Sequence, residues 1–267
     1  MSLLQVSADR FVVTIKMNRP PVNAIVPELQ EELVETLNRL KQDDSARVVV
    51  LTSAIDRFFM AGADLMAFAD ASVNRDNPAL LEQVAQTSRR SQAAFNEVEH
   101  FPKPLIAAIN GHALGGGCEL AMTCDYRFMI DDGHATIGQT ETNVGLIPGA
   151  GATQRLPRLV GRMRATQMIF ESMRLKAPEA AAIGLINEAI PAAGFQDAVQ
   201  QRAQRLATGP PIALRLAKEA ILAGLDKGAQ RGYEVEAENF GRNFMSEDAL
   251  AGIAAFVSKQ QPEFKGK

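Results

Sequence analysis

The sequence contains no tryptophan, two tyrosines, two cysteines and three histidines, and each scarcity removes a class of function. With no tryptophan and only Tyr126 and Tyr233, few aromatic platforms with a polar handle exist on which a sugar ring could stack, which argues against a glycosidase built on paired carboxylates. Cys118 and Cys124 are too few for a disulfide framework; placed in one expected helix, they suit a reducing compartment. His100, His112 and His134 show neither the four-residue helical pairing nor the cysteine neighbours of a metal site, so no metal is expected. Residues 1–10 lack a basic start followed by an apolar stretch, and no uncharged apolar run reaches the roughly 18 residues of a membrane span. Lys265-Gly266-Lys267 is not the Ser-Lys-Leu peroxisomal address. A cytoplasmic location is the default expectation, with no membrane partner. A net charge of -3, with Lys and Arg scattered, leaves no basic stripe to neutralise a phosphate backbone, so nucleic acid is not an expected partner.

What is present is ordinary for a soluble globular protein: 46% hydrophobic and 22% charged residues, over a length that sustains a sizeable core. β-Branched apolar runs at Phe11–Ile15, Val48–Leu51, Leu105–Ile109, Tyr126–Ile130 and Ile186–Ile190 predict short buried strands. Helical stretches separate many of them; in the first, Leu29, Leu33, Leu37 and Leu40 recur at three- and four-residue steps and form one apolar stripe. The alternation predicts an α/β fold. From Gly194 the strand signal stops, and helices are expected at Phe195–Leu206, Ile212–Leu225, Gly228–Phe240 and Asp248–Val257. The expected organisation is a core over 1–193 and a helical region over 194–267 that packs closely, on another subunit if one is present. No sequence repeat of fixed period and no low-complexity segment is visible.

Three segments could carry chemistry. Asn110-Gly111-His112-Ala113-Leu114-Gly115-Gly116-Gly117-Cys118-Glu119-Leu120-Ala121 follows an apolar strand and leads into a helical pattern. Its glycines either serve a tight turn or let helix-start N–H groups approach an anion or a developing oxyanion. Glu119 is either a helix-start acid or a functional one. In Gly138-Gln139-Thr140-Glu141-Thr142-Asn143-Val144-Gly145-Leu146-Ile147-Pro148-Gly149-Ala150-Gly151, Glu141 is a lone acid among neutral residues. Two carboxylates meeting in one pocket titrate apart and can serve as general base and general acid. Phe58-Phe59-Met60-Ala61-Gly62-Ala63-Asp64-Leu65 is either a plain loop or a close backbone approach to ligand. Cys118 with His112 could form a thiolate pair, against a small buried residue behind a glycine turn. Gly161, Arg162 and Arg164 fit a phosphate contact or a solvated helix start.

Taken in order, these segments, with Gly149-Ala150-Gly151-Ala152-Thr153-Gln154-Arg155-Leu156 and a closing Ala255-Phe256-Val257-Ser258-Lys259, resemble the enoyl-CoA hydratase/isomerase, or crotonase, family. The resemblance implies a spiral of strand-strand-helix units and a carboxyl-terminal helical region that builds homotrimers, commonly paired into hexamers. It implies an acyl-CoA thioester substrate and no separate cofactor, coenzyme A being part of the substrate. The N–H groups of Ala63 and Gly116 would hold the thioester oxygen. Ala61, Gly62, Asp64 and Leu65 would lie near adenine and pantetheine, Gly149 would help hold water, and Phe256 and Lys259 would reach the nucleotide of a neighbouring subunit. Glu119 would deprotonate water and Glu141 would protonate C2.

Retention of both acids favours a hydratase over a double-bond isomerase, which often keeps only the later acid; a specialised dehydratase or a non-catalytic acyl-CoA-binding protein is the alternative. The sequence departs from the family pattern in carrying Met66 in place of a frequent lysine and Thr140 in place of a frequent proline. Phe170-Glu171-Ser172 also stands in place of a frequent Leu-Thr-Gly, and the Asp131–His134 loop is longer than usual.

Overall fold

The computed structural model describes residues 2–64 and 77–267. The chain runs β1 (Leu4–Asp9), β2 (Val12–Met17), α1 (Pro27–Lys41), β3 (Val48–Ser53), β4 (Phe58–Met60), α2 (Leu80–Glu99), β5 (Leu105–Ile109), β6 (His112–Leu114) and α3 (Gly116–Met122). It continues with β7 (Tyr126–Asp131), β8 (Thr136–Gly138), a 3-10 turn (Glu141–Val144), α4 (Ala152–Phe170), β9 (Leu175–Lys176), α5 (Ala177–Ala182) and β10 (Glu188–Pro191). Four helices follow: α6 (Phe195–Ala207), α7 (Pro211–Lys227), α8 (Ala229–Phe244) and α9 (Glu247–Val257). Each predicted strand and helix is present within a few residues of its expected bounds, and the fold is α/β with a helical carboxyl-terminal region.

Two sheets share the work. A six-stranded sheet has the order β1-β2-β3-β5-β7-β10, and a four-stranded one β4-β6-β8-β9. Successive pairs β3-β4, β5-β6 and β7-β8 each give their first strand to the large sheet and their second to the small one, in parallel with the pair before. A helix follows each pair. The unit recurs although the sequence shows no fixed period, because the connecting segments differ in length.

β3 shows why these runs are strands. All six of its residues are buried, and its side chains alternate between two apolar layers. Val49 and Leu51 join the main core, with Leu29, Leu33, Leu37 and Leu40 of α1, whereas Val48 and Val50 face Phe195, Val199 and Ala203 of α6. The small sheet, with strands of two or three residues, is the part that periodicity does not reveal. β1 was also not anticipated: only Leu4 of its residues is buried, since it is an edge strand. Cys118 lies in α3, but Cys124 falls beyond the end of that helix. Gly161, with φ 78 and ψ 156, breaks α4 so that residues 162–170 begin a second helical run; Arg162 and Arg164 are exposed there, as a solvated helix start requires.

The helical region is fastened to the sheets by polar contacts. Lys218 of α7 pairs with Asp125 at 2.8 Å, and Arg47 donates to the carbonyls of Ala207 and Phe264 at 3.3 and 3.0 Å. Its far side is apolar: Ile221, Tyr233, Phe240 and Phe256 are exposed, and an open groove of about 660 Å³ between α7 and α8 is lined by Ala217, Gly224 and Tyr233, away from both candidate glutamates. Among the described residues no helix is long and apolar enough to cross a membrane.

Candidate active site

The site begins where the small sheet ends. After β6 the chain turns at Gly115, whose φ 51 and ψ -121 lie where a side chain is not tolerated. A Cβ there would also fall 2.9 Å from Oε1 of Glu141. Gly116 opens α3, so its N–H is among those without an acceptor inside the helix. A Cβ on Gly116 would lie 3.8 Å from Oε2 of Glu119. The two acids therefore converge on adjacent glycines, although they come from different units of the chain.

Glu119 sits on the first turn of α3 and is 3% exposed. Its Oε1 accepts from the N–H groups of Ala150 and Ala152, at 2.8 and 2.9 Å. Burial raises its pKa above the usual carboxylate value, opposed by those N–H groups and by the charge of Arg155. Glu141 opens the 3-10 turn and is half-buried. Burial, with the charge of Glu119 added, pushes its carboxyl up to about 7. The Gln139 amide, oriented by its partners, donates to both Glu141 oxygens at 3.0 and 3.1 Å. Thr142 donates to the Ile169 carbonyl at 2.7 Å and pairs with the Ser172 hydroxyl at 2.6 Å, while Ser172 accepts from Asn143 N–H at 3.0 Å. The turn that starts at Glu141 is thereby tied to the end of α4.

A third segment crosses above. Gly62 has φ 99, and a Cβ there would meet the Leu114 carbonyl at 2.9 Å and Gly116 N at 3.5 Å. Ala63 follows it in a parallel bridge with Ile25. Among the described residues no backbone carbonyl accepts from the N–H of Ala63 or of Gly116. Ala61 N–H donates to the Val22 carbonyl at 3.1 Å, and Asp64 forms an ion pair with Arg19 at 3.2 Å. Leu65 and Met66 lie outside the described residues. Gly149 offers its carbonyl to Ser88 Oγ at 2.6 Å and to Gln92 Nε2 at 3.0 Å. Phe256 and Lys259 stand apart: Phe256 is 85% exposed near the end of α9, Lys259 lies just past it, and no hydrogen bond links either to the glutamates.

The thiolate alternative fails on two counts. Burial pushes the Cys118 thiol up to about 12, so almost none is ionised near neutrality. His112 Nδ1 is engaged by Thr136 N–H at 3.1 Å and the Thr136 hydroxyl at 3.0 Å, leaving it no role as a base for Cys118. Among the described residues no group of three His, Cys, Asp or Glu is placed to hold a metal ion.

Two contributors are not marked by the sequence as chemical. Asn23 is fully buried with φ 51, and its amide donates to Ser53 Oγ at 2.7 Å and the Phe59 carbonyl at 3.1 Å, which fixes the strand leading into Ala61–Ala63. Arg155 is likewise buried, and its position one helical step from Ala152 and beside Leu156 was the available signal: a cation on an inward face needs partners.

Comparison with known proteins agrees with this architecture. A family model described as enoyl-CoA hydratase/isomerase matches residues 8–267. The chain is 39% identical over 264 residues to the human mitochondrial enoyl-CoA hydratase domain-containing protein 2, covering 97% of this chain and 87% of that one. It is 36% identical to a probable enoyl-CoA hydratase of Bacillus subtilis, with both chains covered completely. The crystal structure of an enoyl-CoA hydratase from Bacillus anthracis superposes with a TM-score of 0.89 at 38% identity, again with both chains fully covered. On these matches, which span nearly every residue that builds the two sheets, the glutamate pair and the helical region, the chain belongs to the enoyl-CoA hydratase/isomerase family.

Proposed function

We propose that the protein is an enoyl-CoA hydratase that adds water across the 2,3 double bond of an enoyl-CoA thioester. The observation that carries this reading is the convergence of two carboxylates on Gly115 and Gly116, beside two N–H groups from separate segments. Conjugate attack builds negative charge on the thioester oxygen; the N–H groups of Ala63 and Gly116 are assigned to receive it, and two such donors lower the barrier by several kcal/mol. Glu119 accepts a proton as the water oxygen bonds to C3. The π electrons pass to the carbonyl oxygen and return to form a bond from C2 to the proton of Glu141.

The surroundings support this division of labour. Two N–H donors on one oxygen favour the anion of Glu119, and that anion helps to keep Glu141 protonated near neutrality. Gly149 is assigned to the water, and Ala61, Gly62, Asp64 and Leu65 to the CoA moiety. The exposed apolar face of α7 to α9 supports a homotrimer, alone or paired, in which Phe256 and Lys259 reach a neighbour's nucleotide. No part of the scheme calls for a cofactor.

The test is the decay of enoyl-thioester absorbance with crotonyl-CoA. The native protein is expected to hydrate it, and Glu119→Gln and Glu141→Gln are each expected to slow it at least ~100-fold. A native protein that moves the double bond, with Glu119→Gln at full rate, would make the isomerase reading correct. Binding of acyl-CoA without turnover across chain lengths would leave a non-catalytic binder.

A further inference from the structure

Ser88, Gln92, Asn96 and Glu99 lie at steps of four, four and three along α2, so they form one polar stripe on that helix. All four are committed to the turn that ligates Glu119. Ser88 and Gln92 donate to the carbonyl of Gly149. Asn96 Oδ1 and Glu99 Oε2 accept from Nη2 and Nε of Arg155, at 2.5 and 2.8 Å, and the remaining Arg155 nitrogen, Nη1, donates to the carbonyl of Ala150 at 2.9 Å. On the other side of this turn, the N–H groups of Ala150 and Ala152 meet Glu119.

Arg155 is itself 6% exposed and sits on the first turn of α4, where the helix dipole disfavours a cation. Among the described residues these are the hydrogen-bond partners that sustain its burial. Gly151, with φ 117, leaves open the space its guanidinium fills: a Cβ there would lie 2.2 Å from Nη1.

We propose that the polar stripe of α2, acting through Arg155 and on the Gly149 carbonyl, is a brace that fixes the position and ionisation of Glu119, making Arg155 a positioning residue. The brace pulls on the carbonyl edge of the turn and so aims its N–H edge. It also sets a positive charge behind the base, which opposes the effect of burial on the Glu119 carboxyl.

The test has an arm without substrate. The carboxyl titration of Glu119 is isolated by infrared difference spectroscopy against Glu119→Gln. In Arg155→Met its midpoint is expected to rise by about one pH unit, because a cation that favoured the anion is gone. Arg155→Lys keeps the charge without the fork of bonds, so it is expected to restore the midpoint but not the rate. The kinetic arm rests on the hydratase reading: in Arg155→Met, kcat for crotonyl-CoA is expected to fall about 10- to 100-fold while KM stays within about twofold. If Arg155→Met does not fold, Asn96→Ala carries the same test with a smaller displacement in the same direction. An unmoved Glu119 midpoint in folded Arg155→Met, or in Asn96→Ala where that variant stands in for it, or a raised KM with unchanged kcat in the same variant, would overturn the brace. A native protein that hydrates no enoyl-CoA, with the midpoint still moving, would overturn the hydratase reading and leave the brace standing.

Discussion

The two acids are held in different ways. Glu119 stands on a helix whose seven residues are all buried, its carboxylate fixed by two main-chain donors and the turn behind them held by Arg155. Glu141 stands on a single 3-10 turn with no buried residue, followed by the exposed Asn143–Ile147 stretch, and its anchorage is side chain to side chain through Gln139, Thr142 and Ser172. A group that takes a proton from a placed water gains from rigidity. In the proposed reaction the group that protonates C2 is the one anchored through side chains. The contrast teaches that one pocket can combine both kinds of anchorage when its two acids come from different units of the fold.

The most severe way to break the contrast is to remove the clearance that lets the two acids meet. Gly115→Ala puts a Cβ 2.9 Å from Glu141 Oε1 and forces a side chain into a conformation suited to glycine. Hydration by the folded variant is expected to fall by about 100-fold or more, measured with crotonyl-CoA at saturation. A smaller change loosens only the Glu141 turn: Ser172→Ala removes the hydroxyl that accepts from Asn143 N–H and pairs with Thr142. An expected loss of roughly 3- to 10-fold in kcat, with little change in melting temperature, would match a turn that positions rather than supports. An equal loss of stability would mean that the turn is structural.

The smallest effect is thermodynamic and of opposite sign to the catalytic one. The folded Glu141 pKa of about 7 lies above the ordinary carboxyl value of 4.5, so the folded state binds this proton more tightly than the unfolded state does. Its ionisation consequently lowers stability progressively as pH rises from 4.5 to about 7, and the loss is complete above that. Glu141→Gln escapes this loss. Its melting temperature is expected to exceed that of the native protein by about 2–4 °C at pH 8, as roughly 1 kcal/mol would give, and to match it below pH 4.5. Scanning calorimetry at both pH values would decide; a variant less stable at pH 8 would show that Glu141 is held by its partners more than it is opposed by burial.

How far the molecule is legible in its sequence differs between its two layers. Leu29, Leu33, Leu37 and Leu40 disclosed α1 because helix periodicity is written in apolar residues, and each of them is buried. The strand Leu105–Ile109 was visible for the same reason, being apolar throughout. The three-residue strands β4, β6 and β8 are too short to hold a period. Their glycine-rich flanks mark a site without disclosing that a side chain at Gly62 would reach Gly116. The nomination of Glu119 and Glu141 rested on their neighbours in sequence; their convergence depends on the stacking of two successive strand pairs, which no local pattern records. The stripe Ser88, Gln92, Asn96 and Glu99 has helical spacing, yet it reads as a solvated face until Arg155 is placed against it.

The donors that hold Glu119 belong to the main chain of Ala150 and Ala152, and that has a bearing on descent. Every residue except proline brings the same N–H, so substitution at those two positions does not delete the ligands. What has to be inherited is the path of the chain through the turn. A change of side chain that the buried surroundings of Ala150 and Ala152 admit therefore leaves the coordination of this carboxylate the same.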